Sequence, residues 1–167
     1  MNWRNIIARI FLFGALVFAT QHFVIAMLPR LVFEIAKHRF GQPLNTIFHA
    51  PRTDARSRKV VLPNPDFIYS SCLFDAGHHD IVLKGEFPDS SQYCSLSFYD
   101  SEVQPYDVIN NDSGSRSFEI RLSTKGTPGS IVPKTSQGAV LLRILAADAS
   151  QLNEALRIQK TFSVSEE

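Results

Sequence analysis

An uncharged apolar run near the N-terminus, from Ile10 to Leu28, constrains this chain more than any other feature. As an α-helix, which rises about 1.5 Å per residue, the run extends roughly 28 Å. That length matches the hydrocarbon core of a lipid bilayer, which is about 30 Å thick. Two arginines precede the run, and Pro29 is expected to end it. The sequence therefore predicts a single transmembrane helix, with the lipid bilayer as its first partner.

A cleaved signal peptide is the alternative to a membrane anchor. Its apolar core would be Ile10 to Thr20, and Val24-Ile25-Ala26 would be the cleavage site. The apolar run continues beyond that site through Met27 and Leu28, which favours a retained anchor.

Positive charge is nearly balanced on the two sides of the run, so the positive-inside rule gives only a weak preference for orientation. A short N-terminal flank behaves most simply as a signal anchor, with the N-terminus in the cytoplasm. We therefore expect a single-pass protein of the inner (cytoplasmic) membrane whose folded domain lies in the periplasm.

The composition is that of one small globular domain in addition to the N-terminal segment. The chain has 167 residues, of which 44% are hydrophobic, and its formal net charge is +1. Because no basic block alternates with aromatic residues, nucleic-acid binding is not expected. Cys72 and Cys94 fit no zinc or redox spacing, and we expect neither a metal nor another cofactor.

Beyond residue 66 the apolar pattern changes to the period of two that is typical of β-strands. The predicted strands cover residues 67–75, 80–87, 92–99, 106–109, 118–122 and 138–145. Asp148 then provides the cap of a C-terminal helix, with Gln151 at its third position. These elements predict a mainly β fold, a small antiparallel β-sandwich or rolled sheet with a C-terminal helix.

The segment between the anchor and this domain has two predicted parts. Leu31 to Phe40 has the apolar spacing of a short amphipathic helix, with Gly41 as its stop. Residues 41–65 look like an irregular basic connector that contains Arg52, Arg56, Arg58 and Lys59. The predicted organisation is thus 1–29 for the flank and anchor, 30–65 for the amphipathic helix and connector, and 66–167 for the β-rich domain.

The segment Asn64-Pro65-Asp66-Phe67-Ile68-Tyr69-Ser70-Ser71-Cys72-Leu73-Phe74-Asp75 resembles the signature of the bacterial domain-of-unknown-function 1254 family. The resemblance continues through residues 93–100, 108–112 and 138–144, and upstream at Asn45, His49, Pro51 and Arg52. Together with the N-terminal helix, the pattern is similar to the short membrane-anchored branch of that family. The resemblance implies an all-β domain and no known reaction. It also implies a partner protein of the domain-of-unknown-function 1214 family, which is often encoded beside such proteins.

Polar residues within these motifs are the candidates for a ligand-binding or structural cluster. They are His49, Asn64, Asp66, Tyr69, Asp75, Tyr99, Asp100 and Arg143. Short polar side chains such as Asn64 and Asp66 are expected to form turns. Arg143 is expected to be mostly buried, because strand alternation places it on the face of Leu141 and Leu145. Its guanidinium is expected to pair with Asp66, Asp75 or Asp100 rather than to bind an anion.

Cysteine and histidine residues could in principle carry chemistry. Cys72 and Cys94 are predicted to be inert core thiols, because a nucleophilic thiol needs a lowered pKa. If the first three strands form a meander, the two cysteines lie about 9–10 Å apart, too far for a disulfide. His78 and His79 are expected in a solvated turn, because adjacent residues on an extended strand point in opposite directions.

Three functions remain open on these grounds. The first is a non-enzymatic domain that docks a partner protein, since no recognised catalytic, metal or phosphate motif is present. The second is a small-ligand or glycan binder that uses Tyr69, Tyr99, Asp100 and Arg143. The third is a hydrolase. Its residues would be Cys72 with His49, or Asp66 with Asp75.

Overall fold

The computed structural model describes residues 3–40, 43–52, 63–89 and 91–167. Its first element is one long helix, α1 (Trp3–Phe40). Its mean hydropathy reaches 2.0 over the most apolar window, none of which is buried. By length and composition it can cross a membrane. Pro29 lies inside this helix, so the prediction that the anchor ends there and a second helix follows is wrong. Proline removes one backbone hydrogen bond, but membrane helices tolerate it, and contacts with the β-rich domain hold the following turns.

The described residues form two antiparallel sheets. The larger sheet contains β1 (Thr46–His49), β2 (Phe67–Asp75), β4 (Cys94–Asp100), β5 (Pro105–Asn110) and β7 (Gln137–Leu145), in the order β1-β2-β7-β4-β5. The smaller sheet contains β3 (Ile81–Glu86), β6 (Ser117–Leu122) and β8 (Ser163–Glu166), in the order β6-β3-β8. The helix α2 (Ala149–Gln159) lies between β7 and β8 in sequence. The predicted mainly β, antiparallel fold with a C-terminal helix is confirmed.

Both sheets contribute to one buried core. Buried and half-buried residues alternate strictly along β7, so one of its faces points inward. Val140 and Leu142 from that face meet Ile81 and Leu83 of the smaller sheet in a single cluster of buried side chains. Ile158 of α2 joins the same cluster. This arrangement is consistent with the predicted sandwich.

Two short strands were not predicted. β1 lies in the segment that was expected to be irregular, and β8 follows α2. Each has only four residues, so neither shows a clear alternation, and each is fixed by pairing with a longer strand. Because β1 is part of the larger sheet, the β-rich structure begins before residue 66. Arg56, Arg58 and Lys59 of the predicted basic connector lie outside the described residues.

The predicted meander of the first three strands is also wrong. β3 crosses to the smaller sheet, while β2 and β4 lie on either side of β7. Cys72 is opposite Val140 and Cys94 is opposite Ile144, so the cysteines are two strands and four residues apart, roughly 16 Å. Both thiols are free and buried. The prediction of unbridged cysteines is confirmed, although a different strand order separates them.

The second half of α1 rests against one end of the larger sheet. Phe33 is only 4% exposed there. Arg30 forms an ion pair with Glu102 at 3.1 Å, and Lys37 Nζ donates a hydrogen bond to Gln137 Oε1 at 3.3 Å. Since these contacts lie on either side of Phe33 along the helix, they fix the helix against the domain. The apolar residues of the predicted amphipathic helix, Leu31, Val32 and Ile35, are largely exposed and so do not pack on the domain.

Candidate binding face of the five-stranded sheet

One face of the five-stranded sheet points away from the shared core, and we call it the outer face. Strand alternation and the pairing register assign to it Phe48, Tyr69, Ser71, Leu73, Ser95, Ser97, Tyr99, Val108, Ala139, Leu141, Arg143 and Leu145. Most of its apolar side chains are half-buried, and Val108 is 53% exposed. The outer face is therefore an apolar surface with polar residues near its centre.

Arg143 lies near this centre, on the middle strand of the sheet and two residues before the strand ends. Its cross-strand neighbours are Tyr69 on one side and Ser95 on the other. One of its terminal nitrogens, Nη2, is 3.5 Å from the hydroxyl oxygen of Ser97, which is a marginal hydrogen bond. The buried Nε of Arg143 and the buried hydroxyl of Ser95 have no hydrogen-bond partner among the described residues.

The predicted ion pair of Arg143 is wrong for the described residues, and the residue is half-buried rather than mostly buried. The three carboxylates expected to pair with it lie elsewhere. Asp75 is on the outer face but at the far end of its strand, and Asp100 points to the opposite face of the sheet. Asp66 precedes β2. The arginine therefore faces outward without a counter-ion in this part of the structure.

An unpartnered buried donor or hydroxyl typically costs about 1–3 kcal/mol of stability. Arg143 and Ser95 are adjacent, so they form one polar position whose hydrogen bonds the described residues do not complete. A guanidinium with hydroxyls beside a tyrosine ring can bind a carboxylate or another acceptor. They offer no nucleophile paired with a base.

The Asn-Pro-Asp segment forms a turn that leads into β2. Asn64 Oδ1 accepts a hydrogen bond from the Asp66 N–H at 2.9 Å, which is the geometry of an Asx turn. The Asn64 N–H donates to the Tyr69 hydroxyl at 3.1 Å. The expectation that these residues form turns is confirmed. The Tyr69 ring is thereby held over the start of the outer face.

Asp75 ends β2 in a hydrogen-bonded position. Its carboxylate accepts from Gln137 Nε2 at 2.7 Å and from the Gly77 N–H at 2.9 Å. The hydrogen bond from Gln137 is the main reason why the pKa of Asp75 lies below its ordinary value. Asp66 and Asp75 lie at opposite ends of the strand, roughly 30 Å apart. They cannot act together on one substrate bond.

Asp100 has a structural role in the β4–β5 turn, Ser101–Gln104. It is 6% exposed, and its Oδ1 accepts from the backbone N–H groups of Glu102 and Gln104 at 2.9 and 2.8 Å. Tyr99 does lie on the outer face, but opposite Ala139, four residues along β7 from Arg143. The structure thus brings Tyr69 to Arg143 and places Tyr99 and Asp100 apart from it.

His49 does not approach Cys72, whose cross-strand neighbour is Ile47. Instead its Nδ1 lies 2.9 Å from the hydroxyl of Ser70, which is 1% exposed. Burial raises the pKa of both Cys72 and Cys94 to about 12, so neither thiol ionises near neutral pH. Partial burial lowers the pKa of His49.

No group of three or more histidine, cysteine or acidic residues in the described ranges could hold a metal ion. His78 and His79 are exposed in the loop after β2, as predicted. Two residues at the centre of the outer face, Ser95 and Ser97, were missed. Their signal is the alternation of serine with large apolar residues along Cys94-Ser95-Leu96-Ser97-Phe98, which places hydroxyls opposite the core side.

The fold and the outer face define a class: a small mainly β domain behind a helix long and apolar enough to span a membrane. Residues 44–166 match the family described as "Protein of unknown function (DUF1254)". The chain therefore belongs to the DUF1254 family.

Two solved structures are similar at low identity, and the first shares the fold. The VPA0106 protein from Vibrio parahaemolyticus matches with a TM-score of 0.61 and 12% identity, over 83% of this chain and 35% of that one. A putative uncharacterized protein from Burkholderia cenocepacia matches with a TM-score of 0.49 and 15% identity, over 89% and 42%. This chain thus spans less than half the length of either. No curated protein matches it.

Proposed function

We propose that this protein is a membrane-tethered, non-enzymatic domain on the periplasmic side of the inner membrane that docks a partner protein through its outer face. The observation that carries the proposal is the incomplete polar position at the centre of that face. Arg143 Nε and the Ser95 hydroxyl are buried and have no hydrogen-bond partner in the part of the chain that the structure describes, within a half-buried apolar surface. A docked protein would pair with the accessible part of the half-buried Arg143 side chain and cover the apolar surface around it.

The composition of the outer face supports a protein partner. Aromatic residues and arginine are enriched at the centres of protein interfaces, where they supply most of the binding energy. Here Tyr69 is the cross-strand neighbour of Arg143, Leu141 lies two residues along the same strand, and Phe48 lies on the same face two strands away. A sheet face of this kind is better suited to another protein surface than to a small molecule.

In the VPA0106 protein the matching region is 35% of the chain, so the same fold there adjoins much more polypeptide. The partner that we propose for this chain is a member of the domain-of-unknown-function 1214 family.

The buried positions of the nucleophile candidates support a function without catalysis. Cys72 is fully buried with a raised pKa, and Ser70 lies beneath His49. A second candidate function, binding of a small ligand or glycan, would use the same position, because Tyr69 lies directly beside Arg143. Its predicted use of Asp100 has no support, since that carboxylate is occupied in the β4–β5 turn.

Co-purification tests the docking directly. The full chain would be expressed with a protein of the domain-of-unknown-function 1214 family and isolated in detergent, as wild type and as Arg143→Met. We expect a stoichiometric complex that the variant loses. Lys84→Met is the matched control, because Lys84 is an exposed cation on the smaller sheet. Equal amounts of complex from the wild type and both variants would contradict docking at the outer face. An equal loss of complex in the two variants would contradict it as well.

Protease accessibility tests the location. Protease added to intact spheroplasts should digest the β-rich domain, whereas an inward-facing domain would be protected. A mature N-terminus near Met27 would instead show that the helix is a cleaved signal peptide.

A further inference from the structure

The β4–β5 turn lies beside the point where the apolar run of α1 ends. Arg30, two residues after Leu28, forms its ion pair with Glu102 of this turn at 3.1 Å. Two helical residues correspond to a rise of about 3 Å. If the run crosses a bilayer, the turn therefore lies close to the level of the lipid headgroups.

The face of α1 that points away from the domain indicates where the membrane boundary lies along the helix. Leu31, Val32 and Ile35 are 55%, 46% and 45% exposed, although they follow Arg30. Exposed apolar side chains at this position are stable when they lie in the interfacial part of a membrane. The membrane boundary should thus reach about one helical turn beyond Arg30, which includes the height of the β4–β5 turn.

Val103, at the tip of the turn, is an unusual residue for a water-exposed position. It is 43% exposed, and its φ of 61° lies in the left-handed region, which β-branched residues rarely adopt. Such a conformation is strained and tends to occur where function requires it. Glycine would relieve the strain in water. An apolar side chain held in this conformation is best explained by an apolar environment at the tip.

The charges of the turn are compatible with contact to lipid. Glu102 is neutralised by Arg30, and the buried Asp100 carboxylate is held by two backbone N–H groups. Gln104 is uncharged. Phe33 and Lys37 fix the helix against the domain, so the turn keeps its height relative to the apolar run.

We propose that the β4–β5 turn is a second membrane contact, with the Val103 side chain in the interfacial region of the bilayer. This inference rests on the proposed membrane anchor. It implies that the domain is held against the lipid surface at two points, the helix and the turn. Its orientation, and that of the outer face, would then be fixed rather than free.

Nitroxide labels on single introduced cysteines in the full chain test the contact. The native thiols are buried, so they remain unlabelled in the folded protein. The labels would replace Val103, Phe13 in the apolar run, and the exposed Thr46 of β1, at the edge of the sheet away from β5. The chain would be placed in nanodiscs of phosphatidylcholine with a minority of phosphatidylglycerol. Collision with oxygen and with a water-soluble nickel chelate then reports the depth of each label.

We expect the label at Phe13 to favour oxygen strongly, the label at Thr46 to favour the nickel chelate, and the label at Val103 to lie between them. A Val103 label that matches Thr46 while Phe13 is lipid-embedded would overturn the second contact and leave the anchor intact. A water-exposed Phe13 label would overturn both.

Discussion

The Nδ1 atom of His49 lies 2.9 Å from the hydroxyl oxygen of Ser70, across the pair of strands β1 and β2. Ser70 is buried, and His49 covers it at the exposed edge of the sheet. The imidazole therefore completes the hydrogen bond of a buried hydroxyl. Ser70 is not accessible to a substrate, and in the described structure no third group completes a catalytic arrangement with this pair.

This contact predicts a pH dependence of stability. Burial holds the pKa of His49 below its ordinary value of about 6.5, so the unfolded chain binds the proton more readily. The stability contributed by His49 is complete above about pH 6.5 and is lost as the pH falls through the folded pKa. The melting temperature should fall between about pH 7 and pH 5, and less so in His49→Gln. Identical pH profiles for the two proteins would contradict this assignment.

Asp75 and Asp148 should contribute in a separate pH range. Hydrogen bonds to their carboxylates lower both pKa values, so their stabilisation is present above about pH 4 and is lost in more acidic solution. The loss assigned to His49 therefore occurs first as the pH is lowered.

The cysteines should be chemically silent in the folded protein. With pKa values of about 12 and no exposure, Cys72 and Cys94 should resist iodoacetamide at pH 8 and react completely in guanidinium chloride. Mass spectrometry of the alkylated protein measures the difference. Rapid modification of one native thiol would favour the hypothesis of a cysteine hydrolase. A disulfide-linked peptide that contains both cysteines would contradict the strand order.

Arg143→Met should change the free energy of unfolding by less than about 1 kcal/mol, because it keeps the aliphatic stem and removes a donor that has no partner among the described residues. Thermal unfolding of the full chain in detergent measures this change. A loss of about 3–5 kcal/mol would instead reveal a buried carboxylate partner. The proposed function requires that the Arg143→Met variant keep its stability and lose the docking of its partner.

Gly138→Ala should destabilise the fold, because a methyl group there has no space. The new carbon would lie 2.6 Å from Phe74 Cζ and too close to the backbone oxygen of Tyr99. Overpacking of this kind costs about 1–3 kcal/mol. Gly14→Ala in α1 is the control, since nothing lies within 4 Å of that position. Equal melting temperatures for the two variants would show that β4 and β7 are not paired as described.

The sequence predicted those elements whose signals are local. β2 has the predicted bounds, Phe67–Asp75, because its alternation continues over the whole strand. α2 has the predicted cap, with the Asp148 carboxylate accepting from the Gln151 N–H at 2.9 Å. Such features depend on neighbours in the chain, and a single sequence contains them.

Features that depend on contacts between residues far apart in the sequence could not be predicted in the same way. The strand order places β7 between β2 and β4, although β7 follows both in sequence. The partner of Arg143 depends on which strands lie beside it. The carboxylates in the sequence motifs, which were expected to pair with it, therefore proved to be distant in space. The unbroken helix through Pro29 depends on contacts with the domain at Phe33 and Lys37.

Photo-crosslinking from the outer face tests the central claim most directly. A benzophenone amino acid would replace Leu141 beside Arg143, and in a control would replace the exposed Glu119 of the smaller sheet. Irradiation of intact cells should join the Leu141 variant to one discrete protein, identified by mass spectrometry. The Arg143→Met substitution should remove this adduct, and the Glu119 control should not form it. The absence of a protein adduct at Leu141, or the same adducts from Glu119, would contradict docking at the outer face.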